Sequence, residues 1–387
     1  MAPREDIAPA NPVRFVETGL GRGWEPAAIL GVTLVLLSFG LVTLYGTSSL
    51  MAQRMGLPDY HFALQQIMAA ALGLTALVVC ARMPYGWWRH LAWPLLLVTW
   101  VLLLLCILPG TEAIAPRING ARRWIRLGVS IQPSEVAMFV LIVWTAGLAV
   151  RKQEHFRSFS RGLMPFLVVW GAMVVPVVLE PNLSTSALML MASGLVVFAA
   201  GGRIGHFVLL GLALLPALIA QLRVDFRADR LQAFMNLSAD PAGAGYQVRQ
   251  SLVALGSGGL TGVGFAEGRQ KFGFLPEPHT DFMFSVIGEE WGFAGVTVLV
   301  LLYLTLVLFG FRVARRAPDL FGELLAVGLT SLIALHAILH MAVGLGLVPS
   351  TGLPLPLISY GKSNLVITLA AIGVLMSIAR GNAWSRA

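Results

Sequence analysis

About ten apolar runs of roughly 20 residues each, enough to cross a bilayer as a helix, divide the chain between residues 27 and 380. They lie near 27–49, 62–81, 91–109, 134–150, 163–179, 185–200, 206–222, 283–310, 320–345 and 364–380. A segment within lipid must satisfy every backbone N–H and C=O internally, and a single run of this kind does so only as an α-helix. The expected fold is therefore an all-α polytopic membrane domain over 27–380, with polar tails at 1–26 and 381–387. Composition agrees, since 57% of the 387 residues are hydrophobic and only 12% are charged. A soluble domain of this size has no use for so much apolar surface. Cys80 and Cys106 both fall inside apolar runs, which argues against a disulfide framework and a cysteine metal site. The first 26 residues lack the apolar core of a signal peptide and read as a cytoplasmic tail.

Basic residues set the orientation. With the N-terminus inside, the inside connections carry Arg82 and Arg89, then Arg151, Lys152, Arg157 and Arg161, then Arg203. Arg312, Arg315 and Arg316 follow, and Arg380 and Arg386 close the series. The outside connections at 50–61 and 180–184 are nearly free of them, as the positive-inside rule expects. Both termini are thus expected inside, with a large outside loop at 223–282 between the seventh and eighth helices. A formal charge of +8 then reflects anchoring residues and attraction to anionic lipid, not nucleic acid.

Two outside connections break the rule. Residues 110–133 carry Arg117, Arg122, Arg123 and Arg126, and the 223–282 loop carries Arg223, Arg227, Arg230, Arg249, Arg269 and Lys271. A loop of about 60 residues tolerates such charge, but the shorter connection needs another reason. Guanidinium forks match a phosphate or diphosphate in geometry and charge, so an anion outside the membrane is the expected ligand. The last outside connection, 346–363, holds three prolines between 349 and 356 yet stays apolar. It reads as a segment that dips to membrane depth under protein cover.

The most charged boundary lies in the stretch 264–295, where a polar, glycine-rich loop gives way to an apolar run at Phe282. Glu277, His279 and Asp281 stand at that junction. Two readings of Asp281 compete. Thr280 or Asp281 could simply cap the following helix, or Asp281 could accept a proton beside a dry cavity. Alternation along an extended segment would put Glu277, His279 and Asp281 on one face, a weak metal pattern. Ser285, Gly288, Gly292 and Gly295 recur at helical spacing and suggest close approach of another helix. Glu289 and Glu290, about two turns in, are expected to face the cavity and a neighbouring helix, because uncompensated carboxylates there are costly. His336 and His340 share one helical face and read as a polar contact between helices. No P-loop, dinucleotide-binding glycine pattern or G-x-S-x-G elbow is present.

Four stretches carry a resemblance: N-G-A-R-R-W-I-R-L-G-V-S-I-Q-P-S-E at 119–135, E-P-N-L-S-T at 180–185, the run from Gly245 through 295, and P-S-T-G-L-P-L-P-L-I-S-Y-G at 349–361. In this order they resemble the shape, elongation, division and sporulation glycosyltransferases, ten-span membrane proteins that polymerise lipid II into peptidoglycan. The wording R-Q-K-F-G-F-L-P-E-P-H-T-D-F is nearer the division branch than the elongation branch. By this resemblance Asp281 is the catalytic base at the outer face of the inner membrane. Arg117, Arg122, Arg123, Trp124, Arg126, Glu135, Glu180, Arg269, Lys271, Glu277, His279, Ser359, Tyr360 and Lys362 are the candidates for holding substrate. The resemblance also implies undecaprenyl-diphosphate-linked glycan as co-substrate and a class B penicillin-binding protein as transpeptidase partner, alongside other proteins of the division or elongation machinery. No tightly bound cofactor is expected; a divalent cation, Mg²⁺ or Mn²⁺, would bridge diphosphate oxygens.

The chain departs from the family pattern at several positions. Met138 replaces a common lysine, Asn182 an acidic residue and Ser184 a glycine. Lys362 and Asn364 replace Gly and Ser, and His336 and His340 stand where Gln and Asn are usual. One lysine lost and one gained suggests that a cation has moved between helices. Two rivals share the membrane fold. A lipid-linked sugar flippase would place ionisable groups near mid-bilayer in two related halves, and a division scaffold would not need Asp281.

Overall fold

The computed structural model describes residues 24–118, 120–156, 158–222, 234–235 and 243–381. Outside the described residues lie Arg157, Arg223, Arg227, Arg230 and Arg386, together with most of both tails.

Every expected span contains a helix. In chain order these are α1 Glu25–Arg54, α2 His61–Arg82, α3 Trp87–Ile107, α4 Pro133–Lys152 and α5 Met164–Leu179. Next come α6 Leu183–Ala199, α7 Ile204–Leu222, α8 Ala244–Ser257, α9 Met283–Arg315, α10 Leu320–Gly344 and α11 Lys362–Ala379. Among the described residues eight helices are long and apolar enough to cross a membrane, and α6 is apolar but shorter. The helix α8, within the long connection, is additional to the expected spans. Local chemistry explains several starts. Proline occupies the first turn of α1, α4 and α5, where its missing N–H costs nothing. Asn182 caps α6 through Thr185 N at 3.4 Å, and Asp319 caps α10 through Gly322 N at 2.7 Å.

The helix α4 is the pillar of the bundle, with buried residues running almost unbroken from Pro133 to Ala149. It packs on α3, α6 and α10, while α9 turns Leu301, Leu304 and Leu308 outward, as a lipid-facing helix should. At one end Glu25 accepts from Arg312 at 3.2 Å and Arg316 at 2.7 Å, which ties α1 to α9. The connections 110–133, 243–282 and 345–361 gather at the other end. There, among the described residues, the all-α expectation meets an exception, an antiparallel hairpin of β1 Ile125–Leu127 and β2 Val129–Ile131 with Ile125 opposite Ile131.

As its prolines suggest, the last connection enters the bundle. Leu353, Leu355, Leu357 and Ile358 are all buried, and Tyr303 of α9 donates its hydroxyl hydrogen to Pro356 O. Gly40 of α1 lets this segment in, because a Cβ there would sit 2.5 Å from Leu357 O.

The small-residue stripe on α9 receives the close helical approach that its spacing suggests, and it also holds a break that the spacing does not show. The helix breaks at Gly292, whose φ of 64° and ψ of −165° belong to no helix. The backbone groups freed by the break pair with the glycine loop: Val263 N donates to Glu289 O at 3.0 Å and Gly264 N to Glu290 O at 3.2 Å. Phe293 N and Ala294 N donate in turn to Gly259 O and Leu260 O, at 2.9 and 3.0 Å. Satisfied in this way, irregular backbone is tolerated at a membrane boundary. Ser285 and Gly288 meet α8, with Ser285 Oγ 2.6 Å from Ser251 Oγ. The stripe therefore receives a loop and a short helix.

Candidate functional site

The turn before α9 carries the principal carboxylate. Glu277, at φ 48°, starts a tight turn in which Thr280 N and Asp281 N both donate to Glu277 O, at 3.2 and 3.1 Å. Phe282 occupies the N-cap position of α9 and has no side-chain oxygen to offer. Neither Thr280 nor Asp281 therefore occupies the N-cap position itself, and Asp281 is half-buried just ahead of it. Across from it stands Gly352, where a Cβ would lie 3.8 Å from Asp281 Oδ2. The backbone of the re-entrant connection thus forms the wall opposite the carboxylate.

His279 points inward and is 3% exposed, with its ring 5.1 Å from Phe62 and 5.7 Å from Tyr360. Burial lowers its pKa to about 4, so the ring is neutral at neutral pH. Its carbonyl accepts from Tyr360 N at 2.9 Å, stitching the Asp281 turn to the last connection. Glu277 is half-exposed, 4.0 Å from His279 Nε2. Among the described residues no three His, Cys, Asp or Glu side chains form a group that could hold a metal.

The N-terminal turns of α2 supply partners that sequence reasoning overlooked. Gln65 Oε1 accepts from Tyr360 Oη at 2.5 Å and from Lys362 Nζ at 3.1 Å. Gln66 Nε2 donates to Ser359 O at 3.0 Å. Two adjacent glutamines at the start of an apolar run were the available signal. Burial raises the Tyr360 phenol. Ser359 itself is 3% exposed and its hydroxyl has no partner among the described residues. Arg126, exposed on the hairpin, lies close enough to Lys362 for the two cations to repel. Neither forms an ion pair among the described residues. Two neighbouring cations without a carboxylate partner among the described residues are a natural seat for an anion.

Other candidates have structural tasks. Lys271, expected to meet an anion, is buried: its Nζ donates to Glu290 Oε1 at 2.7 Å and to Gly46 O at 3.0 Å. Glu289 accepts from Arg269 N at 2.7 Å and Gln270 N at 3.3 Å, and Glu290 also accepts from Ala266 N at 3.1 Å. Both carboxylates hold the 264–273 loop against the break in α9. Arg269 extends outward. Arg123 donates to the backbone carbonyls of Glu180 and Pro181, at 3.0 and 2.6 Å. Arg122 pairs with Glu112 at 2.5 Å. Arg117 is exposed and Trp124 half-buried in the same connection.

Two buried carboxyls complete the region. Glu135, in the first turn of α4, accepts from Asn364 Nδ2 of α11 at 3.0 Å, and Gln132 N donates to Ser363 Oγ at 2.9 Å. These bonds lock the starts of α4 and α11 together. Glu180 is 2% exposed, and burial raises its pKa to about 8 despite the opposing pull of Arg123.

A family model described as "Cell cycle protein", covering FtsW, RodA and SpoVE, matches residues 27–383. The chain belongs to the FtsW/RodA/SpoVE family. Stage V sporulation protein E of Bacillus subtilis is 39% identical over 352 residues, covering 90% of this chain and 95% of that protein. A probable peptidoglycan glycosyltransferase FtsW of Geobacter metallireducens is 41% identical over 352 residues, covering 90% and 93%. Among solved structures, a chain of a peptidoglycan synthase complex that coordinates polymerization and crosslinking aligns with TM-score 0.75 and 28% identity, over 94% of this chain and 99% of that one. RodA of Thermus thermophilus aligns with TM-score 0.67 at 28% identity, over 94% and 98%. The sequence-level resemblance and the multi-span membrane fold are both confirmed.

Proposed function

We propose that the mouth between α2, α9 and α11 is where lipid II is polymerised, with Asp281 as the general base. The chain is a peptidoglycan glycosyltransferase, as its full-length relatives named for that activity and its shared fold support. Opposed groups at the mouth carry the mechanistic reading: the Asp281 carboxylate faces the Gly352 wall, while Lys362 and Arg126 flank the Tyr360 side of the same opening.

Asp281 takes the proton from the acceptor sugar hydroxyl, and that oxygen attacks the anomeric carbon of the donor glycan. The bond from that carbon to the undecaprenyl diphosphate breaks, and the diphosphate leaves with the electron pair. Attack opposite the leaving group inverts the centre and gives a β-1,4 link. Lys362 and Arg126 stabilise the departing negative charge, an effect that works best where water is scarce. A Mg²⁺ or Mn²⁺ ion would draw most of its ligands from diphosphate oxygens, since the protein offers no three-ligand cage among the described residues. Mouth and substrate lie on the outside of the cytoplasmic membrane in this reading, both termini inside. A class B penicillin-binding protein supplies the cross-linking that this chain lacks. The division-type wording around Asp281 and the relatives named FtsW favour septal synthesis over elongation.

Purified protein is incubated with lipid II, with and without the transpeptidase, comparing wild type with Asp281→Asn. Glycan ladders from wild type alone support the assignment. Ladders from both would remove Asp281 from the chemistry, and ladders from neither would favour a flippase or scaffold.

A further inference from the structure

His340 joins the two sides of the mouth. Its ring is 1% exposed in α10, and both nitrogens are engaged. Nδ1 lies 2.7 Å from Leu353 O, and Nε2 lies 3.4 Å from Phe284 N. A carbonyl only accepts and an amide only donates, so these partners demand the neutral ring with its hydrogen on Nδ1. Phe284 N–H is one of the unpaired amides at the start of α9, three residues beyond Asp281. Leu353 directly follows Gly352, the residue facing Asp281 Oδ2. One imidazole therefore connects the backbone that carries the carboxylate to the backbone that walls it. A second tie, Tyr360 N to His279 O at 2.9 Å, joins the same two stretches further along, and 346–361 contains no helix or strand to hold them otherwise.

We propose that His340 is a positioning residue that sets the gap between Asp281 and the Gly352–Leu353 wall, and so fixes where the acceptor hydroxyl must sit. This rests on the assignment of Asp281 as the base. Shape and charge at the substrate cations are left alone, so the ring acts on the rate of the bound complex more than on binding. A displacement of about 1 Å at such a gap lowers a rate by on the order of 100-fold. An asparagine at 340 retains an N–H able to reach Leu353 O, whereas leucine retains neither bond.

The test compares wild type, His340→Leu, His340→Asn and Asp281→Asn as full-length chains, reading lipid II polymerisation kinetics and hydrogen exchange. For His340→Leu, kcat is expected to fall about 10- to 100-fold with KM nearly unchanged. Exchange should quicken in peptides over 283–287 and 350–356, while α4 stays protected. His340→Asn should restore most of kcat and the protection at 350–356. Asp281→Asn should abolish turnover with exchange unchanged, which separates loss of the base from loss of its placement. Unchanged kcat and exchange in His340→Leu would overturn the proposal, as would a kcat loss that asparagine does not recover. If His340→Leu loses protection in α4 as well, His340→Gln replaces it. Glutamine can set its carbonyl oxygen where Nε2 accepts from Phe284 N but leaves the Nδ1 position without a donor for Leu353 O, so quickened exchange confined to 350–356 is expected, and its absence counts against the proposal. An active Asp281→Asn would discard the base while leaving the exchange result to judge the tie itself.

Discussion

Lys271 and Glu290 form an ion pair at 2.7 Å with side chains only 3% and 0% exposed. The pair lies beneath the loop that leads to Asp281 and beside the break in α9. Gly46 O takes a further Lys271 hydrogen, and Ala266 N serves the second Glu290 oxygen, so the buried charges are well satisfied. That arrangement makes the loop part of the helix bundle.

Removing one member leaves the other charged and dry. Lys271→Met should therefore destabilise the protein by about 3–5 kcal/mol, while Lys271→Met with Glu290→Leu should recover a large part of the loss. Thermal unfolding in detergent checks both. A single variant melting with wild type would show that water reaches the pair.

Gly292→Ala should destabilise for a separate reason. The position holds φ 64°, and an added Cβ would stand 2.3 Å from Gly262 N. Left-handed strain alone costs about 1–3 kcal/mol, and the backbone clash adds to it. The expected result is a lower melting temperature and loss of the tight loop, read as faster hydrogen exchange over 258–264.

How much of this was legible beforehand depended on the length of the pattern. Apolar runs located every helix long and apolar enough to cross a membrane among the described residues, because burying twenty consecutive backbone units in lipid leaves one solution. The dip of the proline-rich last connection could also be read, since it sets proline against an apolar background. The break at Gly292 could not. Its spacing from Ser285, Gly288 and Gly295 is the same whether a helix or a loop approaches. Once that break is missed, nothing in the sequence brings Lys271 back onto Glu290, and the lysine looks like one more anion contact. Gln65 and His340 escaped similarly, because their partners lie far away in the chain.

Two buried groups near the mouth should make stability depend on pH in opposite directions. Glu180 is raised from 4.5 to about 8. The fold keeps this proton after the unfolded chain has released it, so stability falls as pH rises through that window. Glu180→Gln should flatten the fall. His279 is lowered from 6.5 to about 4. Here the unfolded chain takes up the proton first, so stability falls as pH drops through that range, and His279→Phe should flatten this limb. Melting temperatures from pH 4 to 9 would test both slopes, and a wild-type curve flat at each end would refute them.

Lys362 gives the prediction closest to the chemistry. Its ammonium is held by Gln65 at 3.1 Å and repelled by Arg126, so it is kept at the mouth without a neutralising carboxylate of its own. Two residues on, Asn364 reaches Glu135 at 3.0 Å, and Met138 lies one turn below Glu135, 1% exposed. Lysine at 138 would share that face of α4 with Glu135, on the far side of the same carboxyl. If a cation is required near this point and its helix of origin is not, Lys362→Gly should cut polymerisation sharply, by on the order of 100-fold for a lost charge stabilising the leaving group. Adding Met138→Lys should bring much of it back. Lipid II polymerisation by the three proteins decides the matter. An inactive double variant that melts like wild type would mean that Lys362 acts only from its own place beside Arg126.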